Sequence, residues 1–106
     1  MSERVELFRR RVSENPDNPL FKFSLGQTLF NERNFIEAEK CFRICLKERS
    51  DWMLALLLHG RCLIELERPE EASEVLRQAA QVACDQNHED PEREARTLLE
   101  QLESAS

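Results

Sequence analysis

Apolar residues recur along this chain at steps of three and four, the spacing of helices that bury one face. Phe35, Ala38, Phe42 and Cys45 form one such stripe, and Ala72, Leu76 and Ala79 form another. Ala95, Leu98, Leu99 and Leu102 form a third, with Glu92, Arg93, Arg96, Glu100 and Glu103 around the rest of that helix. The segment from Trp52 to Leu66 is apolar on nearly every side, so it is either buried or presents apolar surface to something else. No segment alternates with the period of two that a strand requires.

Boundary signals divide the pattern into six helices. Asn18 is a natural N-cap with Pro19 at the first helical position, where a missing N–H costs nothing. Asn34 caps the next, with Glu37 three residues on as a capping-box variant. Ser50 and Asp51 precede the apolar run, Pro69 with Glu70 and Glu71 opens another helix, and Asp90 with Pro91 opens the last. The expected helices cover residues 3–14, 18–31, 35–48, 52–66, 69–84 and 91–103.

The chain also repeats. Shifted by 34, Leu20 falls on Leu54, Gly26 on Gly60, Leu29 on Leu63, Glu37 on Glu71, Ala38 on Ala72, Arg43 on Arg77 and Asp51 on Asp85. Backwards, Phe8, Arg9 and Val12 lie 34 before Phe42, Arg43 and Leu46, so the N-terminus reads as the second half of a repeat. Forwards the match fails, because Glu94 and Thr97 stand where Gly60 and Leu63 predict a small and an apolar residue. A fixed period of this length signals a solenoid. The expected organisation is one domain over 1–106: a half-repeat at 2–17, repeats at 19–52 and 53–86, and a capping helix at 90–104 whose charged face ends the stack.

The only two glycines of the chain carry the same phase. Glycine inside a helix costs about 0.5–1 kcal/mol relative to alanine. Close approach of two antiparallel helices accounts for that cost, with Gly26 expected to face Ala38 and Gly60 to face Ala72.

Composition narrows the function classes. Charged residues make up 34% and the net charge is −6, which argues against a surface for nucleic acid, since phosphate binding needs a basic face. Arg9, Arg10 and Arg11 read as a solvated helix face beside Glu6 and Glu14. The longest apolar run, Trp52 to Leu58, is far below the ~20 residues of a membrane span, so no membrane partner is expected. The N-terminus lacks the apolar core of a signal peptide, and four cysteines do not make a disulfide framework here, so a cytoplasmic location with reduced thiols is expected.

The Leu25-Gly26 pair with Leu29, Ala38, Phe42 and Cys45, and then Gly60, Leu63, Ala72, Leu76 and Ala79, resembles the tetratricopeptide repeat. The sequence departs from that pattern at Lys22, where a large apolar residue is expected, at His59, which replaces a leucine, and at Arg11, which replaces a small residue. The resemblance implies an all-α, right-handed solenoid of antiparallel helix pairs. It implies a protein or peptide partner, held in a concave groove lined by the first helix of each pair. Carried over by spacing, the groove is Leu20, Phe23, Gln27, Phe30 and Asn31 with Leu54, Leu57, Arg61, Ile64 and Glu65. Repeats that grip the C-terminal carboxylate of heat-shock chaperones have basic grooves; Phe23, Leu57 and Leu58 here favour an apolar ligand. The alternative use of the same groove or of the capping helix is a homodimer.

His59 with Cys62, three apart on one helix, and Cys41 with Cys45, four apart on another, are the candidates for catalysis or metal binding. Zinc takes such ligands in a tetrahedron. However, Cys45 aligns with Ala79 and Cys62 with Thr28, positions that pack rather than coordinate. A thiol nucleophile needs a base and an oxyanion site, and no glycine-rich loop supplies one. No catalytic residue, metal site or cofactor is expected, and His59 reads as a buried histidine with a hydrogen-bond partner. The carboxylates are expected on solvated faces.

Overall fold

The computed structural model describes residues 2–105. It places six helices in order: α1 (Glu3–Glu14), α2 (Pro19–Asn31), α3 (Phe35–Glu48), α4 (Met53–Glu65), α5 (Pro69–Asp85) and α6 (Glu89–Ala105). Each packs on its neighbours in sequence, α2 against α3, α4 against α5 and α5 against α6, and the described residues contain no strand. The result is an all-α solenoid with extents of 41 × 28 × 20 Å.

Local chemistry sets most boundaries. Ser2 caps α1 by accepting from the Val5 N–H at 3.2 Å, and Asn18 caps α2 by accepting from Leu20 at 3.0 Å. Asn34 accepts from the Glu37 N–H at 3.4 Å, but the Glu37 side chain does not return the bond. It pairs with Arg9 of α1 instead, and this hydrogen bond holds the Glu37 carboxyl below its ordinary range. At α4 neither Ser50 nor Asp51 is the cap: Trp52 occupies that position with no side-chain bond. The last helix begins at Glu89 rather than Pro91, and proline is tolerated in a first turn because the N–H there has no intrahelical acceptor.

Three turns close in one way. Arg33, Glu67 and Asn87 have φ of 65°, 57° and 60°, the left-handed conformation that ends a helix. The Asn34 N–H then reaches the Leu29 carbonyl at 2.8 Å, Arg68 reaches Leu63 at 2.9 Å, and His88 reaches Ala83 at 2.8 Å. Arg33 and Glu67 lie 34 apart, so the repeat extends to the backbone of the turns.

The core forms two clusters. Val5, Leu25, Leu29, Ala38, Cys41, Phe42 and Cys62 make one, with Phe8, Val12 and Phe23 packed against it. Leu56, Leu57, Leu76, Ala79, Ala80 and Ala95 make the other, covered by Leu98, Leu99 and Leu102 of α6. The glycines sit at helix contacts, but not opposite the alanines. A Cβ on Gly26 would lie 3.0 Å from Cys41 Cβ and from Phe42, and one on Gly60 would lie 2.6 Å from Leu76. The chain reverses at Arg33, so Gly26, seven residues before it, meets Cys41 and Phe42, eight and nine residues after it, about one turn beyond Ala38.

One carboxylate is not on a solvated face. Glu39 is 4% exposed, between α3, α4 and the turn before α5. Its Oε2 lies 2.8 Å from His59 Nε2, and its Oε1 lies 3.2 Å from Arg43 and 3.8 Å from Arg68. Three cationic or hydrogen-bonding partners from separate elements offset the desolvation of this group. His59 is buried as expected, but its Nδ1 has no partner among the described residues.

Candidate functional site

The face shared by α2, α4 and α6 carries the residues singled out from the sequence. At the start of α2, Leu20 is 56% exposed, and 34 residues on, at the start of α4, Leu54 is 49% exposed. Large apolar side chains are left in water at matching positions of successive helix pairs, whereas Leu25, Leu29, Leu56, Leu57 and Leu63 of the same helices are buried. Phe23 is half-buried: its ring stacks on Trp52 at 4.8 Å and meets Phe42 edge-on at 5.7 Å. Arg49 lies over the Trp52 ring at 4.8 Å from its centroid. Such contacts fix the ring of Trp52, although its side chain gives α4 no cap hydrogen bond. Phe30 is half-buried and meets Phe35 edge-on at 5.4 Å, while Gln27 and Asn31 are exposed beside it.

On α4 the placement is mixed. Leu57 is only 5% exposed, because α6 folds across α4 and draws it into the second cluster. It is not an open groove residue. Ile64 is half-buried against the same cluster, and Glu65 is exposed. Arg61 points to α6: its Nε and Nη2 donate to Glu94 Oε2 at 2.9 and 2.5 Å. A guanidinium already held in this way is a poor receptor for a ligand carboxylate. The contribution of Trp52 and the Arg61–Glu94 pair have no signal in the sequence; the apolar stripe of α6 signals a cover, but not that it reaches Leu57.

Three of the four thiols are packed away from solvent. Cys41, Cys45 and Cys62 are buried and Cys84 is exposed, all four free. Burial raises the Cys41 thiol, pushes Cys45 up to about 11 and pushes Cys62 up to about 12, so these sulfurs stay protonated and are weak nucleophiles and weak ligands. Among the described residues no three His, Cys, Asp or Glu side chains converge to hold a metal ion. No helix among them is long and apolar enough to cross a membrane.

A cavity of about 200 Å³ lies off this face, between the end of α1, the start of α2 and the end of α3. Val12, Pro19, Lys22, Ile44, Cys45 and Glu48 are among its walls. Lys22 stands 34 before Leu56, which is 2% exposed and fills the corresponding place in the next helix pair.

The 34-residue phase, the paired glycine contacts and the three like turns describe a known repeat, and residues 55–83 match the tetratricopeptide repeat family. The fold is that of a tetratricopeptide-repeat protein. A protein of Bordetella parapertussis known from its solution structure superposes with a TM-score of 0.85 at 20% identity, over 99% of this chain and 91% of that one. The TPR2B domain of yeast Sti1, in complex with pHsp70, gives a TM-score of 0.86 at 16% identity over 96% and 82%. The first tetratricopeptide-repeat domain of Spaghetti (RPAP3), bound to the HSP90 peptide SRMEEVD, gives 0.83 at 18% identity over 95% and 75%. At these identities the likeness is one of fold. No curated protein matches the sequence.

Proposed function

We propose that this protein binds a peptide or helix of a partner protein across the face of α2 and α4, using apolar anchors, and performs no catalysis. The observation that carries this reading is the pair Leu20 and Leu54, exposed at 56% and 49% at matching positions beside the Phe23–Trp52 stack. Exposed leucines next to aromatic rings form the kind of patch that supplies interface energy. The repeats are taken as 19–52 and 53–86, between a half-repeat at 2–17 and the capping helix. Phe30 and Ile64 extend the apolar strip, and Gln27, Asn31 and Glu65 fix the register of the bound chain. Leu57 supports the strip from beneath.

Two of the similar structures hold chaperone-derived ligands, which supports peptide binding as the use of the fold. The acidic ligand of the second does not suit this face, because Arg61 is held by Glu94. Nucleic acid is disfavoured by the net charge of −6. Free cysteines, three of them buried, fit a reducing compartment such as the cytoplasm.

Trp52 is the only tryptophan and lies at the patch, so its fluorescence reports on occupancy. Peptides selected from a random display library should change that signal on titration. Leu20→Glu and Leu54→Glu should keep the wild-type melting temperature and lose the selected peptides. Equal capture by both variants and wild type would sink the reading.

A further inference from the structure

The two ends of the solenoid are opposite halves of one helix pair. In α1, Arg4, Leu7 and Arg11 lie 34 residues before Ala38, Cys41 and Cys45, which are buried in the α2–α3 pair. Among the described residues no helix covers this face of α1: Arg4 and Arg11 are exposed and Leu7 is 39% exposed. In α6, Asp90, Glu94 and Thr97 lie 34 residues after Leu56, Gly60 and Leu63 of the α4–α5 pair. Asp90 and Thr97 are exposed, and Glu94 is partly so. One end therefore presents a second helix without a first, and the other end presents a first helix without a second.

The charges at these ends are opposite. α6 holds six carboxylates against two arginines, and α1 holds four arginines against three glutamates. We propose that copies of this chain associate head to tail, with the outward face of α6 in one copy docking antiparallel on the outward face of α1 in the next. In the register of the internal pairs that arrangement sets Asp90, in the first turn of α6, beside Arg11 in the last turn of α1, with Glu94 over Leu7 and Thr97 over Arg4. Asp90, which pairs with Arg93 at an exposed site, is then shared between Arg93 and Arg11, and Glu94 keeps its pair with Arg61. Side chains of this size, where the internal pairs have glycine and alanine, keep the axes apart. The contact is consequently electrostatic, weak and reversible, and salt screens it. It joins two different surfaces, so it does not close on two copies and extends in line.

Sedimentation velocity over a concentration series tests this. At about 0.01 M salt the mean mass of wild type should rise with concentration, and at about 1 M salt it should return to the single-chain value. Arg11→Glu and Asp90→Arg change exposed side chains, and circular dichroism checks that both fold. Each alone should stay at single-chain mass, and an equimolar mixture should associate again, because both mixed joints then set opposite charges side by side and the two variants alternate along the line. Three results overturn the proposal: wild type at single-chain mass throughout at low salt, association indifferent to salt, or association that survives Arg11→Glu and is abolished by Leu54→Glu.

Discussion

Replacing Gly60 by larger residues tests the close contact between α4 and α5. A Cβ there would lie 2.6 Å from Leu76 Cδ2 and 2.8 Å from its Cγ, and Leu76 is fully buried. Alanine gains about 0.8–1.0 kcal/mol in helix propensity over glycine, and overpacking costs about 1–3 kcal/mol, so Gly60→Ala should lose up to about 2 kcal/mol. Valine recovers less propensity, and its two methyl groups drive further into Leu76, so Gly60→Val should lose about 3 kcal/mol or more. For a domain of this size that is a fall in melting temperature of well over about 10 °C. Urea unfolding followed by circular dichroism measures it. The cause is isolated by adding Leu76→Ala, which alone should cost about 2–5 kcal/mol by leaving a cavity. In the double variant valine occupies that cavity, and the combined loss should fall short of the sum by about 1 kcal/mol or more. A Gly60→Val protein melting within about two degrees of wild type, or strictly additive losses, would refute the packing argument.

Further outcomes are expected elsewhere. Lys22→Leu should stabilise by about 1 kcal/mol, seen as a higher urea midpoint, because it puts an apolar side chain on the wall of the 200 Å³ cavity where Leu56 packs in the next pair. In the native protein Cys84 should react rapidly with an aromatic disulfide reagent, while Cys41, Cys45 and Cys62 react only as fast as the chain opens; four fast thiols would contradict their burial. Glu37 has its folded pKa lowered by Arg9, so the stability it adds is present above the unfolded value of 4.5 and is lost as pH falls through the folded value. Glu37→Gln should accordingly reduce the drop in melting temperature across that acid range, and an unaltered pH profile would remove the pair as a cause. Deleting the chain from Glu89 onward should uncover Leu57 and its neighbours and produce aggregation, visible by light scattering.

Much of the fold was legible because its signals are local or periodic. The 34-residue phase, the caps at Asn18 and Asn34 and the helix-period stripes each need only nearby residues, and all six helices follow from them. Contacts between distant segments were less legible. The glycine partners were displaced by one turn because the level of two antiparallel helices depends on the turn between them. Leu57 looks exposed when α4 is considered alone, and only the placement of α6 buries it. Glu39 looks solvated in the sequence because two of its partners, His59 and Arg68, lie 20 and 29 residues away. Of the proposed site, Leu20 and Leu54 could be found from spacing, whereas the occupation of Arg61 by Glu94 could not.

The buried Glu39 has a consequence for how this solenoid could be lengthened. Its counterpart His59 stands 34 residues after Leu25, and Glu39 itself stands 34 after Val5; Val5 and Leu25 both belong to the apolar cluster of the N-terminal half. The α1–α2 junction and the α3–α4 junction thus use different locks at equivalent places, one apolar and one polar. A tandem duplication of residues 19–52 would set Glu39 of the first copy against Leu25 of the second, burying a carboxylate beside a hydrocarbon side chain. Removing one partner of a buried polar pair costs about 3–5 kcal/mol, so such a duplication would be penalised at birth. The units share a period but are not interchangeable bricks, and an array built from this chain would have to grow by substitution at the junction before it could grow by copying.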